Sequence, residues 1–154
     1  MTDAVEILAV ASGPIAAVRA HATMPELSRV IPAALDKVYA AFGGFSRETM
    51  GQNVVFYPRG AQLMSPGGAD IECGVQMKTA FEPRGEVIAS ATPGGRAAHA
   101  VHWGEYAELG RTHAAIHAHC AANGHNLTDV NWEIYGDWSD DPLRRRTDVY
   151  YLLA

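Results

Sequence analysis

The stretch Asn-Trp-Glu-Ile-Tyr at residues 131–135 puts a carboxylate among apolar and aromatic side chains, and it is the first place in this sequence where chemistry is available. On an extended strand side chains alternate, so Glu133 and Tyr135 share one face and Trp132 and Ile134 the other. A carboxylate and a phenol side by side can pair with a cationic ligand. They can also activate a water, with Glu133 as general base or water-positioning group and Tyr135 as a donor to a developing oxyanion. The bland alternative is a solvated glutamate on the outer face of an edge strand. If that face is covered, Glu133 needs a partner or a cationic ligand, because an uncompensated buried charge costs several kcal/mol.

Six aromatic positions, Trp132 and Tyr135 among them, bear on the same question. Tyr57, Trp103, Tyr106, Trp132, Tyr135 and Trp138 could wall a pocket for a flat organic molecule by stacking, and for a cation through the ring quadrupole. Each, taken singly, is equally at home in a core. The histidines His99, His102, His113, His117, His119 and His125 crowd one stretch, and His113 and His117 stand one helical turn apart. Their segment, His-Ala-Ala-Ile-His, lacks the glutamate of the zinc-protease motif, and no cysteine or carboxylate follows at ligand spacing. No metal and no cofactor are therefore expected. His113 reads as a hydrogen-bonded core residue on an apolar helix stripe, and His102 as a residue that orients the turn before that helix. There is no Gly-x-Ser-x-Gly elbow and no phosphate-cradling loop.

A chain of 154 residues, 48% hydrophobic and 19% charged, fits one globular domain over 1–154. No segment is long and apolar enough to cross a bilayer. The opening MTDAVEILAV has no basic region and no cleavage site, so no signal peptide is read and a cytoplasmic location is expected. The net charge of -5 argues against a direct nucleic-acid binder, which needs a basic face to release phosphate counterions. The one basic cluster, Arg144 to Arg146, reads as a solvated turn before the last strand. Cys73 and Cys120 lack metal-ligand spacing and read as reduced and packed.

The elements that must position these residues come in duplicate. NVVFYP at 53–58 parallels NWEIYG at 131–136, so Asn53 matches Asn131 and Tyr57 matches Tyr135; ADIECGVQ from Ala69 parallels TDVYYLLA from Thr147, with Asp70 matching Asp148. Upstream, GPIAAVRAH ending at His21 resembles GGRAAHAVH ending at His102. The halves, about 1–82 and 83–154, each read as strand, strand, helix, strand, strand. The strands are expected near 5–11, 14–21, 52–58 and 69–78, then 85–92, 95–102, 130–137 and 146–153, with turns at Ser12 to Pro14 and Thr92 to Gly95. The first helix carries Leu27, Ile31, Leu35, Val38 and Phe42 as one apolar stripe, with Pro32 predicting a kink or a short preceding turn. The second carries Tyr106, Leu109, His113, Ile116 and Cys120, closed by Asn123-Gly124. Gly110 within it suggests a close packing approach. Two helices cannot enclose a core alone, so the expected fold is α+β, an antiparallel sheet with both helices on one face. Position 55, the repeat equivalent of Glu133, is valine beside Phe56 and Tyr57, so neither face of this ladder looks plainly solvated.

These residues resemble the GyrI-like small-molecule-binding domain, also called the AraC-type effector-binding domain. His102 ending a strand, Gly104 and Tyr106 opening a helix, Glu133 and Tyr135 in an E-x-Y strand, and Asp148 leading the last strand match its C-terminal pattern. Glu72 and Gly74 fit the corresponding strand of the first half. The chain departs from it in Trp103, where a charged residue is common, and in Glu105, where proline often precedes the tyrosine. It also carries no helix-turn-helix segment. The resemblance implies two strand-helix-strand-strand modules about a pseudo-twofold axis, with a ligand groove between them. It implies binding of a lipophilic, aromatic small molecule that can be cationic, at Glu133, Tyr135 and Tyr106, with Trp103, Tyr57, Trp132 and Trp138 added as ligand-binding candidates by their aromatic rings alone. The enzymatic alternative is a hydrolase that opens cyclopropane-bearing DNA-alkylating natural products, with Glu133 and Tyr135 catalytic. A gyrase inhibitor is the third reading, though nothing in the sequence supports DNA gyrase as a partner.

Overall fold

The structure, a computed structural model, describes residues 4–154; Met1 to Asp3, part of the stretch read for a leader, lie outside it. The chain runs β1 (Val5–Val10), β2 (Gly13–Ala22), α1 (Leu27–Ala41), β3 (Met50–Tyr57), β4 (Ala69–Met77), β5 (Val87–Thr92), β6 (Gly95–Trp103), α2 (Leu109–Asn123), β7 (Leu127–Tyr135) and β8 (Arg146–Leu153). A short 3-10 turn precedes each helix, and one lies in each loop joining the last two strands of a module. All eight strands form one antiparallel sheet in the order β1-β6-β8-β7-β3-β4-β2-β5. Among the described residues no helix is long and apolar enough to cross a membrane.

The duplication is visible in the pairing. At the centre β3 and β7 pair with Asn53 opposite Tyr135, Val55 opposite Glu133 and Tyr57 opposite Asn131. A twofold through the Val55–Glu133 pair carries Asn53 onto Asn131 and Tyr57 onto Tyr135, as the repeat requires. The upstream alignment is one residue out. Asp70 pairs with His21, whereas its equivalent Asp148 pairs with Val101, so His21 corresponds to Val101 and His102 to Ala22. The alternation of the strand corrects the match: Ala22 and His102 are both buried, and His21 is exposed.

The outermost strands change sides. The turns at Ser12 to Pro14 and Thr92 to Gly95 do not close hairpins, because β1 pairs with β6 and β5 pairs with β2. Each module therefore takes its edge strand from the other half of the chain. Ser12 at one crossing donates its hydroxyl to the Thr92 carbonyl at the other, at 2.8 Å.

Both helices lie on one face, α1 over β2, β4 and β5, and α2 over β6, β1 and β8. Under α1 the core includes Val38, Val55, Ile71, Cys73 and Val75; under α2 it includes Ala98, Ile116, Cys120 and Val149. Burying Val38 and Ile116, both fully inaccessible, contributes about 1.5–3 kcal/mol each. Tyr135 packs against both clusters and joins them. A smaller cluster of Ile15, Ala17 and Val54, with Ile88 and Ile134, occupies the opposite face. Cys73 and Cys120 are buried free thiols.

Local chemistry accounts for the helix ends. The Glu26 carboxylate accepts from the Thr23 amide at 2.9 Å, and Pro25 sits in the first turn, where its missing N–H costs nothing. Pro32 lies inside α1, which continues through it to Ala41. The preceding turn is at residues 24–26, and the proline leaves the Ser28 carbonyl without its helical donor. At the start of α2, buried His102 donates from Nε2 to the Glu105 carbonyl at 2.9 Å and accepts at Nδ1 from the Thr112 hydroxyl at 3.0 Å, which clamps the turn to the helix. Gly124 ends α2 in the left-handed region, at φ +72°, with the His125 amide bonded to the Cys120 carbonyl at 2.9 Å. Gly110 has no packing role: a Cβ there would meet nothing within 4 Å.

Candidate functional site

The two central strands bring Glu133 to the sheet's midline on the face covered by the helices. It is 4% exposed. Its Oε1 accepts from the hydroxyls of Tyr57 at 3.1 Å and Tyr135 at 2.6 Å. The two tyrosines are equivalent in the repeat, so symmetry-related phenols converge on one carboxylate. Its Oε2 lies 2.7 Å from His113 Nε2, from α2, and His113 Nδ1 lies 2.7 Å from the Tyr151 hydroxyl, from β8. With the proton on Nε2, His113 donates to Glu133 and accepts from Tyr151, and every polar atom of the network is satisfied.

Burial alone would push the Glu133 carboxyl up. The bonds from His113, Tyr135 and Tyr57 outweigh that effect and hold it below the usual carboxylate range. Burial and then the nearby carboxylate push the Tyr57 and Tyr135 phenols well above their ordinary value. Tyr151 moves in the same direction for the same two reasons. The site thus holds an ionised carboxylate with neutral phenols as donors, and among the described residues no lysine or arginine bonds to it.

From this floor an aromatic path leads outwards. Tyr106 meets Tyr135 edge to face at 5.6 Å between ring centroids, and Trp138 lies 6.3 Å from Tyr106. Tyr106 is 40% and Trp138 63% exposed, and the Arg145 guanidinium stands 3.7 Å from the Trp138 ring centre. Arg145 also donates to the Ser139 carbonyl, and Arg146 is forked onto Asp148. Arg144 lies 3.8 Å from the Asp141 carboxylate, so all three arginines expected as a solvated turn have partners.

Of the residues singled out in the sequence, Glu133, Tyr135, Tyr57 and Tyr106 form one connected group, with Trp138 at its outer end. Trp132 and Trp103 do not join it. Trp132 projects from the opposite face, buried and stacked on Tyr150 at 5.2 Å and 7°. Trp103 pairs with Arg146 on that same face, half exposed, with the guanidinium 5.7 Å from its ring. Strand alternation excludes both from the Glu133 face. His113 and Tyr151 join the site though the sequence did not mark them as part of it. The available signal was the need of a buried Glu133 for a donor, with His113 on the inward stripe of α2. His113 and His117 both pack on Tyr151, and among the described residues no group of three or more His, Cys, Asp or Glu side chains converges to hold a metal.

Neither a protein-family profile nor a curated protein sequence matches the chain. Solved structures do match in fold. The C-terminal domain of EcmrR superposes with a TM-score of 0.73 at 14% identity, covering 100% of this chain and 99% of that one. In a complex of EcmrR with DNA, the chain spans 58% of the longer protein's length. A hydrolase from Listeria innocua superposes at 0.66 and 12% identity over 97% of this chain and 91% of that one. SAV2435, in a structure bound to tetraphenylphosphonium, superposes at 0.58 and 10% identity over 98% and 94%.

Proposed function

We propose that this protein binds a lipophilic, aromatic cation at Glu133, in the groove between its two modules. The observation that carries this reading is a buried, ionised carboxylate held by three neutral or imidazole donors and no basic side chain of lysine or arginine, at the foot of a path of aromatic rings. Such a site offers a desolvated negative charge to a cation, while Tyr135, Tyr106 and Trp138 present the ring faces that a flat, greasy ligand needs. The capture of tetraphenylphosphonium, a lipophilic cation, by SAV2435 supports the same class of ligand. So does the fold of the EcmrR C-terminal domain.

The test is a titration with tetraphenylphosphonium and with the neutral triphenylphosphine oxide, followed by tryptophan fluorescence. Glu133→Gln should weaken the cation by about 1–3 kcal/mol, the range for a charged partner lost from a desolvated pair, and leave the neutral ligand nearly unchanged. Equal weakening of both would contradict the reading.

One observation favours a second reading. The chain Glu133, His113, Tyr151 could relay a proton, which a hydrolase opening an electrophilic cyclopropane would use, with Glu133 activating water and Tyr135 donating to the developing oxyanion. The Listeria hydrolase shares the fold. Incubation with a cyclopropane-bearing DNA alkylator should then yield ring-opened product beyond one equivalent by mass spectrometry, and only with Glu133 intact.

A further inference from the structure

The Glu133 carboxylate is already occupied from within. Oε1 is shared by two phenols, and Oε2 is held by His113 at 2.7 Å. His113 is the group on the solvent side of this pair: its side chain is 22% exposed against 6% for Glu133. It is also the contact to the carboxylate that comes from a helix, while Tyr57 and Tyr135 come from the central strands beneath.

We infer that His113 is an internal stand-in for the ligand, and that a lipophilic cation binds by taking its place on Glu133 Oε2, with release of a proton whenever His113 enters the exchange charged. The inference rests on the proposed binding of a cation at Glu133. It assigns to this site a specificity rule: a neutral aromatic molecule can line the ring path but cannot displace His113, because it brings no charge to replace what the carboxylate loses. Imidazole is the side chain whose charge changes near neutral pH. An exchange that displaces it therefore makes affinity for the cation rise with pH.

The groups facing His113 are consistent with this exchange. Glu133 and Tyr135 approach from β7, Tyr57 from β3 through the same carboxylate, and Tyr151 from β8, with Asp129 acting on Tyr151 in turn. On α2 itself His117 lies against Tyr151, with 4.9 Å between ring centroids. Glu133 is thus the charged group bonded directly to the ring. The phenols remain neutral across the range tested and contribute no proton of their own.

The experiment is calorimetric titration of the full chain with tetraphenylphosphonium at pH 5.5, 7.0 and 8.5, each in two buffers of different ionisation enthalpy, which counts protons exchanged per ligand. Wild type should bind about tenfold or more tightly at pH 8.5 than at 5.5 and release a proton at low pH. His113→Gln should bind with little pH dependence and no release, and its near-UV circular dichroism, compared with wild type, reports whether the fold is kept. His117→Gln should behave as wild type. Binding that requires Glu133 but neither releases protons nor changes with pH would overturn this inference and leave the cation site standing. Absence of binding at every pH would overturn the site reading and this inference with it. A pH dependence that persists in His113→Gln would assign the exchange to another group and overturn the role given to His113.

Discussion

Val55 and Glu133 face each other as direct cross-strand partners at the centre of the sheet, on the axis that relates its two halves. The repeat provides two tyrosines, Tyr57 and Tyr135, but only one carboxylate for them. Both hydroxyls turn to the same oxygen, so the symmetric frame holds an asymmetric charge. Tyr57→Phe removes one donor from a buried acceptor without changing shape, and should cost about 1–3 kcal/mol in urea unfolding at pH 7. An unchanged midpoint would mean that the 3.1 Å contact contributes nothing.

Acid should weaken the fold through Asp148 as well as Glu133. Burial alone would raise the Asp148 carboxyl, but His99 at 2.8 Å and the Arg146 fork at 2.7 and 3.1 Å lower it from 3.8 to about 2. The unfolded chain then binds the proton more readily than the folded one. The stabilisation is present in full above about pH 4 and disappears as pH falls through about 2. Asp148→Asn should lose roughly 1–2 kcal/mol at pH 7 and show a flatter decline between pH 4 and 2. Parallel declines in the two proteins would count against this assignment.

Gly110 offers a gain. It lies in the first turn of α2 with helical backbone and open space where a Cβ would go. Gly110→Ala should stabilise by about 0.5–1 kcal/mol, which thermal unfolding would register as a rise of a few degrees. A lower midpoint would reveal a packing constraint that the structure does not contain.

Gly74 predicts the reverse. A Cβ at this position of β4 would fall 2.1 Å from the Ala16 carbonyl oxygen and 2.8 Å from the Ala17 Cα, backbone atoms that can yield only by opening the β2–β4 ladder. Gly74→Ala should cost more than about 3 kcal/mol, at the upper end for single substitutions, and the protein should be recovered mostly insoluble. Normal stability would show that the ladder relaxes cheaply.

The helices, the strands and the central repeat could be read directly because they are written in local pattern. The stripe from Leu27 to Phe42 and the alternation around Glu133 each fix a face, and Asn53 with Tyr57 fixes the relation of β3 to β7. The strand exchange could not be read. The residues at Ser12 to Pro14 mark a break between two strands, and nothing local states which strand will lie alongside. The same limit hid His113: helix periodicity turns it inwards, but only the placing of α2 on the sheet chooses Glu133 and Tyr151 as its partners. For Trp132 the alternation was the better guide, since it already separated this ring from Glu133. Gly110 shows that a glycine in a helix need not mark a close approach.

The placing of β1 also decides how the protein meets a mechanical load. β1 and β8 flank β6 and run antiparallel to it, hence parallel to each other, with Val5 opposite Ala100 at one end and Leu152 opposite Ala97 towards the other. Tension applied through the first and last strands pulls them along their length in opposite directions. The two ladders of β6 are then loaded in shear, many hydrogen bonds at once, and cannot be peeled one bond at a time. Extension from the ends should begin with an abrupt rupture at high force, after which the rest of the sheet unravels.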